Sequence, residues 1–191
     1  TEVTMLNREH EEVTVDFKPP YPIVTFRELI QQDCGIDIAA HQTAYALRSA
    51  MAEVGITLEH ADALGRGNLI DALYKKVSRP KLVRPTFLTE HPIDLSPLAR
   101  PNDADPHVVD RFQLVANGWE IVNAYSELAD PLLQEERFKE QAQARASGDA
   151  DAMSKDAAFV SALEHGMPPT SGWGMGVDRI VALLTKQPNL R

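Results

Sequence analysis

Cysteine is nearly missing from this chain: Cys34 is its only one. A single thiol closes no intrachain disulfide and supplies no thiolate cluster for a metal, which sets aside disulfide scaffolds and zinc ribbons and fits a cytoplasmic location. No apolar run approaches the ~20 residues a membrane span needs, so no membrane partner is expected. The start, Thr1-Glu2-Val3-Thr4, lacks the basic region and apolar core of a signal peptide. It also lacks an initiator Met, and trimming with further sequence upstream is expected. Basic excess is absent: 19 Lys and Arg against 28 Asp and Glu leave a net charge of −9, which opposes wholesale binding to a polyanion. There is no internal repeat and no low-complexity tract. What remains is 191 residues, 43% of them hydrophobic, enough for one sizeable domain with a real core.

The positive charge that is present gathers in one place. Arg66, Lys75, Lys76, Arg79, Lys81 and Arg84 face a single acid, Asp71, within that stretch. Such a stripe reads first as a solvated helix face and second as a phosphate contact. Around it the chain divides into segments. Val13 to Phe17 reads as a strand stopped by Pro19 and Pro20. Thr25-Phe26-Arg27-Glu28 is a capping box, which predicts a helix to about Cys34 ending at Gly35. Further helices are predicted over Ile38–Val54 and Thr57–Leu64. Gly65-Arg66-Gly67 should break the second of these, and Asn68 should cap another helix through Val77. Three parts result: a strand and helix over 1–36, a helical block over 37–79, and the remainder over 80–191.

That remainder opens with a strand at Thr86–Thr89, and loop chemistry fills 97–107. Arg111–Ala116 and Trp119–Leu128 are strand-like runs around Asn117-Gly118, a pair suited to a type I′ turn. Asp130-Pro131 starts a helix to about Ala146, another spans Ala157–His165, Ser171–Gly176 is extended and Val177–Thr185 is helical. Strands and helices so distributed indicate an α+β fold, an antiparallel sheet flanked by helices.

Two features of that half carry chemistry. With a two-residue turn and strict alternation, Gln113, Glu120 and Val122 lie on one face of the hairpin, and Asn123, Tyr125 and Glu127 on the other. The second row is most simply a solvent-facing strand face. A bulge between Glu120 and Asn123 would bring all of them into one cleft, but no residue dictates it. The other feature is Gly172-Trp173-Gly174-Met175-Gly176, glycine at every second position. On a strand, one face is then bare, and either a flat ring or a closely packed helix can lie on the backbone. Arg179, at the following helix start, could meet a phosphate. The G-x-G-x-G spacing is not the dinucleotide fingerprint.

Taken together, these segments resemble the catalytic domain of class II lysyl-tRNA synthetases. Phe87-Leu88-Thr89-Glu90-His91-Pro92 with Ser96-Pro97-Leu98-Ala99-Arg100 resembles one family segment, and Glu120-Ile121-Val122-Asn123-Ala124-Tyr125-Ser126-Glu127-Leu128 resembles the lysine-site strand. Glu164 to Thr170 followed by Gly172 to Arg179 resembles motif 3. The resemblance is strong from about residue 84 onward and weaker but compatible over 13–83. It implies a class II core with 37–79 as a helical insertion subdomain and 80–191 as the C-terminal part of the catalytic core. Glu127 is expected to face the lysine ε-ammonium, where a carboxylate is left unpaired by substrates without that charge. Tyr125 should line the lysine alkyl chain, and Asn123 should bind near the lysine or the phosphates. Glu120 should hold Mg²⁺ bridging ATP phosphates. Gly172, Gly174 and Gly176 should bed the adenosine, and Arg179 should grip the γ-phosphate. Gln113 stands where the family usually has a metal-binding Glu; its amide oxygen can coordinate, with one negative charge fewer.

The implied cofactors are ATP and Mg²⁺. The implied partners are lysine, tRNA(Lys) and, in the full-length enzyme, a second copy in a homodimer. The reaction would form lysyl-adenylate and then lysyl-tRNA by positioning and charge neutralisation, with no single acid–base residue. Motif 1, motif 2 and the anticodon-binding OB domain have no counterpart among these residues, so the isolated polypeptide is expected not to make lysyl-adenylate. Two other readings stay open: a synthetase-like paralogue that lysylates a protein, and a non-catalytic lysine- or nucleotide-binding module.

Overall fold

The computed structural model describes residues 2–7, 9–146, 148 and 152–187. Its strands are β1 Glu2–Leu6, β2 Glu12–Asp16, β3 Ile23–Thr25, β4 Thr86–Pro92, β5 Val108–Ala116, β6 Trp119–Ser126 and β7 Ser171–Met175. Its α-helices are α1 Phe26–Cys34, α2 Ala44–Glu53, α3 Arg66–Val77, α4 Pro131–Ala146, α5 Ala157–Glu164 and α6 Val177–Thr185. β1 and β2 form a hairpin of their own, and the other five strands form one sheet in the order β3-β4-β5-β6-β7. All pairs in it are antiparallel except β3 with β4. This is the α+β arrangement expected.

Local chemistry accounts for the helix ends that were legible. The Glu28 amide donates to Thr25 Oγ1 at 3.1 Å and the Thr25 amide to Glu28 Oε2 at 3.3 Å, so the capping box forms. Gly35 ends α1 in the left-handed conformation, φ 78°. Elsewhere long-range packing overrules local signals. Thr57–Leu64 is not an α-helix: only Ala61–Ala63 forms a 3-10 turn, and His60 before it is left-handed, φ 56°. The helix predicted from Ile38 starts instead at Ala44, where Thr43 caps it by accepting from the Ala46 amide. Gly65 precedes α3, so Gly65-Arg66-Gly67 begins that helix and Asn68 lies inside its first turn. The reason is tertiary. Arg66 donates to the carbonyls of His41 and Ile38 and pairs with Asp94, and a Cβ on Gly67 would stand 2.6 Å from the Asp94 carbonyl oxygen. Strands β1 and β3, five and three residues long, were not foreseen; three residues are too few to show a period.

The core is built where α1, α2 and α3 pack over β4 and β5. Phe26, Ile30, Leu47, Met51, Leu69, Ile70, Leu73, Leu88 and Val115 form one buried cluster there. Residues 37–79 therefore share apolar contacts with the sheet they cover. On the other flank α4 and α5 meet through Phe138 and Phe159, edge to face at 6.0 Å. Gln134 of α4 donates to the Pro97 carbonyl at 3.1 Å, tying that helix to the loop before β5. No helix among the described residues is long and apolar enough to cross a membrane.

Candidate active site

The Asn-Gly turn forms as its residues require, with φ 50° at Asn117 and 68° at Gly118. Val83 and Leu82 carbonyls accept their backbone amides at 2.9 and 3.0 Å, and Asn117 Nδ2 donates to the Leu6 carbonyl at 3.0 Å. From that turn Ala116 pairs with Trp119 and Val115 with Glu120. Leu114 then pairs with Val122, and Gln113 with Asn123. Ile121 is the extra residue. This bulge replaces strict alternation: Val122 turns away from Gln113, and Glu120 comes onto the face shared by Gln113, Asn123 and, opposite Arg111, Tyr125. Ile121 itself is buried with Ala116 and Trp119 on the other side, an apolar anchor for the bulge.

β7 lies against this face's edge. Gly174 pairs with Asn123 and Gly172 with Tyr125, so the bare positions of the ribbon share the face that carries the polar row. The space around the three glycines differs. A Cβ on Gly172 would stand 3.0 Å from Glu127 Oε1, and one on Gly176 would stand 3.0 Å from Arg179 Cδ. At Gly174 it would meet nothing within 4 Å. Glu127 and Arg179 thus border the ribbon at its two ends, with open backbone between them. Trp173, alternating with the glycines, points the other way and is 69% exposed.

Gln113, Glu120, Asn123 and Arg179 each have a partner that sets their orientation. Gln113 Nε2 donates to Glu120 Oε2 at 2.5 Å. Arg179 Nη1 donates to the Glu120 carbonyl at 2.6 Å and lies 3.5 Å from Glu120 Oε1. Arg111 Nε donates to Asn123 Oδ1 at 2.9 Å, and its Nη1 donates to Ser96 Oγ at 2.8 Å. Burial raises the Glu127 carboxyl above the ordinary glutamate value, and burial, then the Glu127 charge, raises the Tyr125 hydroxyl. His91, 1% exposed with its ring 5.2 Å from that of Phe26, is pushed down by burial to about 3 and is neutral.

Tyr74, His91, Arg111, Gln113, Glu120 and Arg179 line one cavity of about 450 Å³. Glu127 lines another, of about 720 Å³, with Arg100, Ser126, Thr170 and Ser171. Asn123, Tyr125 and Gly174 occupy the strand positions between. No group of three or more His, Cys, Asp or Glu suited to a metal occurs among the described residues. Mg²⁺ needs less from a protein, since one or two carboxylates suffice when substrate phosphates complete the shell. Glu120 supplies one carboxylate. Because Gln113 turns its nitrogen to Glu120, its oxygen remains as a neutral acceptor. The pair fits a weakly charged Mg²⁺ site.

The basic stripe is tied down by its own chain. Lys75 pairs with Asp71 at 2.5 Å and Lys81 with Asp33 at 2.8 Å. Lys76 donates to the Thr57 carbonyl, Arg79 to that of Gly118, and Arg84 to those of Lys18 and Pro20. Residues not singled out from sequence also reach the site: Arg111, His91, Tyr74 and Ser96. For Arg111 a signal existed, since it stands two residues before Gln113 and so on the same strand face.

The largely antiparallel sheet flanked by helices is consistent with a class II synthetase-like fold. The family model described as tRNA synthetases class II (D, K and N) matches residues 2–191, and the chain belongs to that family. Among named relatives it is 44% identical over 180 residues to the lysine–tRNA ligase of Porphyromonas gingivalis, covering 94% of this chain and 31% of that protein. It is 42% identical over 183 residues to the lysine–tRNA ligase of Thermosipho africanus (96% and 36%). To that of Thermosynechococcus vestitus it is 41% identical over 179 residues (93% and 35%). The chain spans about a third of the length of these relatives.

Proposed function

We propose that this chain is part of the catalytic domain of a lysine–tRNA ligase, which activates lysine with ATP and transfers it to tRNA(Lys). The observation that carries this reading is the bulge at Ile121, which gathers Glu120, Asn123 and Tyr125 on one face beside a bare ribbon ending at Glu127. A half-buried carboxylate at one end suits an ammonium group, because a neutral side chain would leave it desolvated without compensation. An arginine at the other end suits a phosphate. The open strip at Gly174 between them suits a flat ring.

In this reading Glu127 receives the lysine ε-ammonium and Tyr125 lines the alkyl chain. Asn123 donates from its amide nitrogen to an anionic oxygen of the substrates. The adenosine lies on Gly172, Gly174 and Gly176, and Arg179 holds the γ-phosphate. Glu120, with the oxygen of Gln113, would hold Mg²⁺, which would supply charge neutralisation to the polyphosphate. The lysine carboxylate oxygen then bonds to the α-phosphorus as the bond to the pyrophosphate oxygen breaks. The site's contribution is alignment of the two reactants and balance of their charge. The acceptor tRNA, a homodimeric state and a helical insertion over 37–79 belong to the same proposal.

The test is lysine-dependent ATP–pyrophosphate exchange, followed by lysine transfer, in the full-length gene product. Exchange with lysine, none with other amino acids, and transfer to tRNA(Lys) are expected. Transfer to a protein instead of tRNA would overturn the assigned acceptor, and absence of exchange would overturn the activity itself.

A further inference from the structure

Asn123 carries a donor and an acceptor on one small group, and which of them faces the substrates decides what it binds. Its amide oxygen and nitrogen lie about 120° apart on a planar group, so fixing one aims the other. Arginine has five N–H donors and no acceptor. The atom of Asn123 that meets Arg111 Nε at 2.9 Å must therefore be its oxygen. The nitrogen is then turned away from Arg111, which reaches Asn123 from β5, while on the other side of β6 its cross-strand partner Gly174 leaves open space.

Arg111 is itself held. Its Nη1 donates to Ser96 Oγ at 2.8 Å and to the Leu95 carbonyl at 3.3 Å, at the end of the 3-10 turn Ile93–Leu95 between β4 and β5. Its register partner Tyr125 stands beside Asn123 on the same face. A guanidinium gripping three oxygens from two chain segments keeps one orientation, and a charge-assisted bond makes its grip on Asn123 firmer than a neutral donor would. A lysine at this position would keep the charge but not the planar fork, so it could not serve all three oxygens at once.

We propose, resting on the lysine-activation reading, that Arg111 is a positioning residue. It clamps the side-chain oxygen of Asn123 so that the Asn123 nitrogen is presented as a donor to an anionic substrate oxygen. That oxygen belongs either to the amino-acid carboxylate or to an ATP phosphate; both take a donor and both reject the amide oxygen. Arg111 acts on binding through Asn123, and its own removal should matter only while Asn123 is present.

The experiment uses ATP–pyrophosphate exchange by the full-length gene product in four forms: wild type, Arg111→Lys, Asn123→Ala and the double variant. Arg111→Lys is expected to raise one KM about tenfold, that of lysine if the partner is the carboxylate and that of ATP if it is a phosphate, while the other stays within twofold. Asn123→Ala raises the same KM, and the double variant should match Asn123→Ala alone. Effects of the two substitutions that multiply, or a fall in kcat with both KM values unchanged, would overturn the clamp. A second measurement stands apart from activity. In the ligand-free protein, side-chain ¹⁵N relaxation of Asn123 should report a rigid amide in the wild type and a mobile one in Arg111→Lys. Equal mobility in both sinks the clamp even where no exchange is detected. Absent exchange with the mobility difference intact would sink only the lysine-activation reading.

Discussion

The helical block over 37–79 and the hairpin-and-ribbon half use the same residue types to opposite ends. In the block most of the large apolar side chains are packed away, with Leu47, Leu69, Ile70 and Leu73 fully buried and Tyr45 and Val54 left exposed. Its cations close onto its own carbonyls and carboxylates, as with Lys75 on Asp71 and Lys76 on Thr57. Around β6 and β7, large apolar groups stay exposed (Trp173, Met175 and Val177), and carboxylates collect on one face beside backbone that carries no side chains. A region that satisfies itself is scaffold. The other region leaves a polar row and bare backbone open at Gly174. Substitutions in the two halves should therefore separate stability from activity.

The largest effect is expected in the block. Leu73→Ala removes a side chain with no exposed surface and should cost about 2–5 kcal/mol of stability, read from the midpoint of denaturant unfolding. The KM values of the folded fraction should not move. The ribbon should invert that outcome. At Gly174 an added Cβ meets no protein atom within 4 Å, so Gly174→Val should leave the thermal midpoint nearly unchanged while exchange activity of the full-length protein falls about a hundredfold, ~2.7 kcal/mol of transition-state binding. Gly67→Ala is the control from the other half. Its Cβ would collide with the Asp94 carbonyl at 2.6 Å and should destabilise by ~1–3 kcal/mol without altering the KM for either substrate. If Gly174→Val unfolds the protein, or Gly67→Ala leaves its stability intact, the division between scaffold and site is wrong.

Glu127 sharpens the contrast within the site. Glu127→Gln keeps the shape and removes the charge, and a charged hydrogen bond of ~1.5–3 kcal/mol predicts a rise of roughly ten- to a hundredfold in the KM for lysine. The pH profile follows from burial, which raises this carboxyl above 4.5. The ionised form, which the proposal pairs with the lysine ammonium, is then lost, as pH falls, earlier than for an exposed glutamate. The KM for lysine should climb through that window in the wild type and stay flat in Glu127→Gln. For folding the sign is opposite. The folded state holds this proton more readily than the unfolded one, so Glu127 makes stability decline as pH rises through the same window.

How much of this was legible beforehand depended on the range of the interaction. The capping box at Thr25, the Asn117-Gly118 turn, and the starts of α4 and α6 are set by residues within four of one another, and all form where the residues indicate. The alternating glycines were legible for the same reason. The bulge at Ile121 was not, because it depends on burial of Ile121 with Ala116 and Trp119 on the far face of the sheet. Without it, Glu120 and Asn123 would have been assigned to opposite faces. Thr57–Leu64 differs in the other direction: a helix is predicted there, where His60 turns left-handed and Lys76 holds the Thr57 carbonyl. Arg111 was visible as a charge on the strand face of Gln113, but its clamp was not, since its partners Ser96 and Asn123 lie 15 and 12 residues away.

The smallest effect concerns the basic stripe, and it tests the scaffold half most directly. Tight phosphate contact requires a cation free to trade its partner for a phosphate, releasing counterions with a slope near 0.9 per contact. Lys75 already sits 2.5 Å from Asp71, and Lys76 donates to Thr57 at 2.7 Å. Both side chains reach solvent, where such pairs are worth less than ~1 kcal/mol and can be exchanged. Lys75→Glu and Lys76→Glu should thus each lower affinity of the full-length protein for tRNA only slightly, and flatten its salt dependence by less than about one contact. A loss of two full contacts on double reversal, with stability unchanged, would move the stripe from scaffold to binding surface, because it would mean that both cations leave Asp71 and Thr57 for the polyanion.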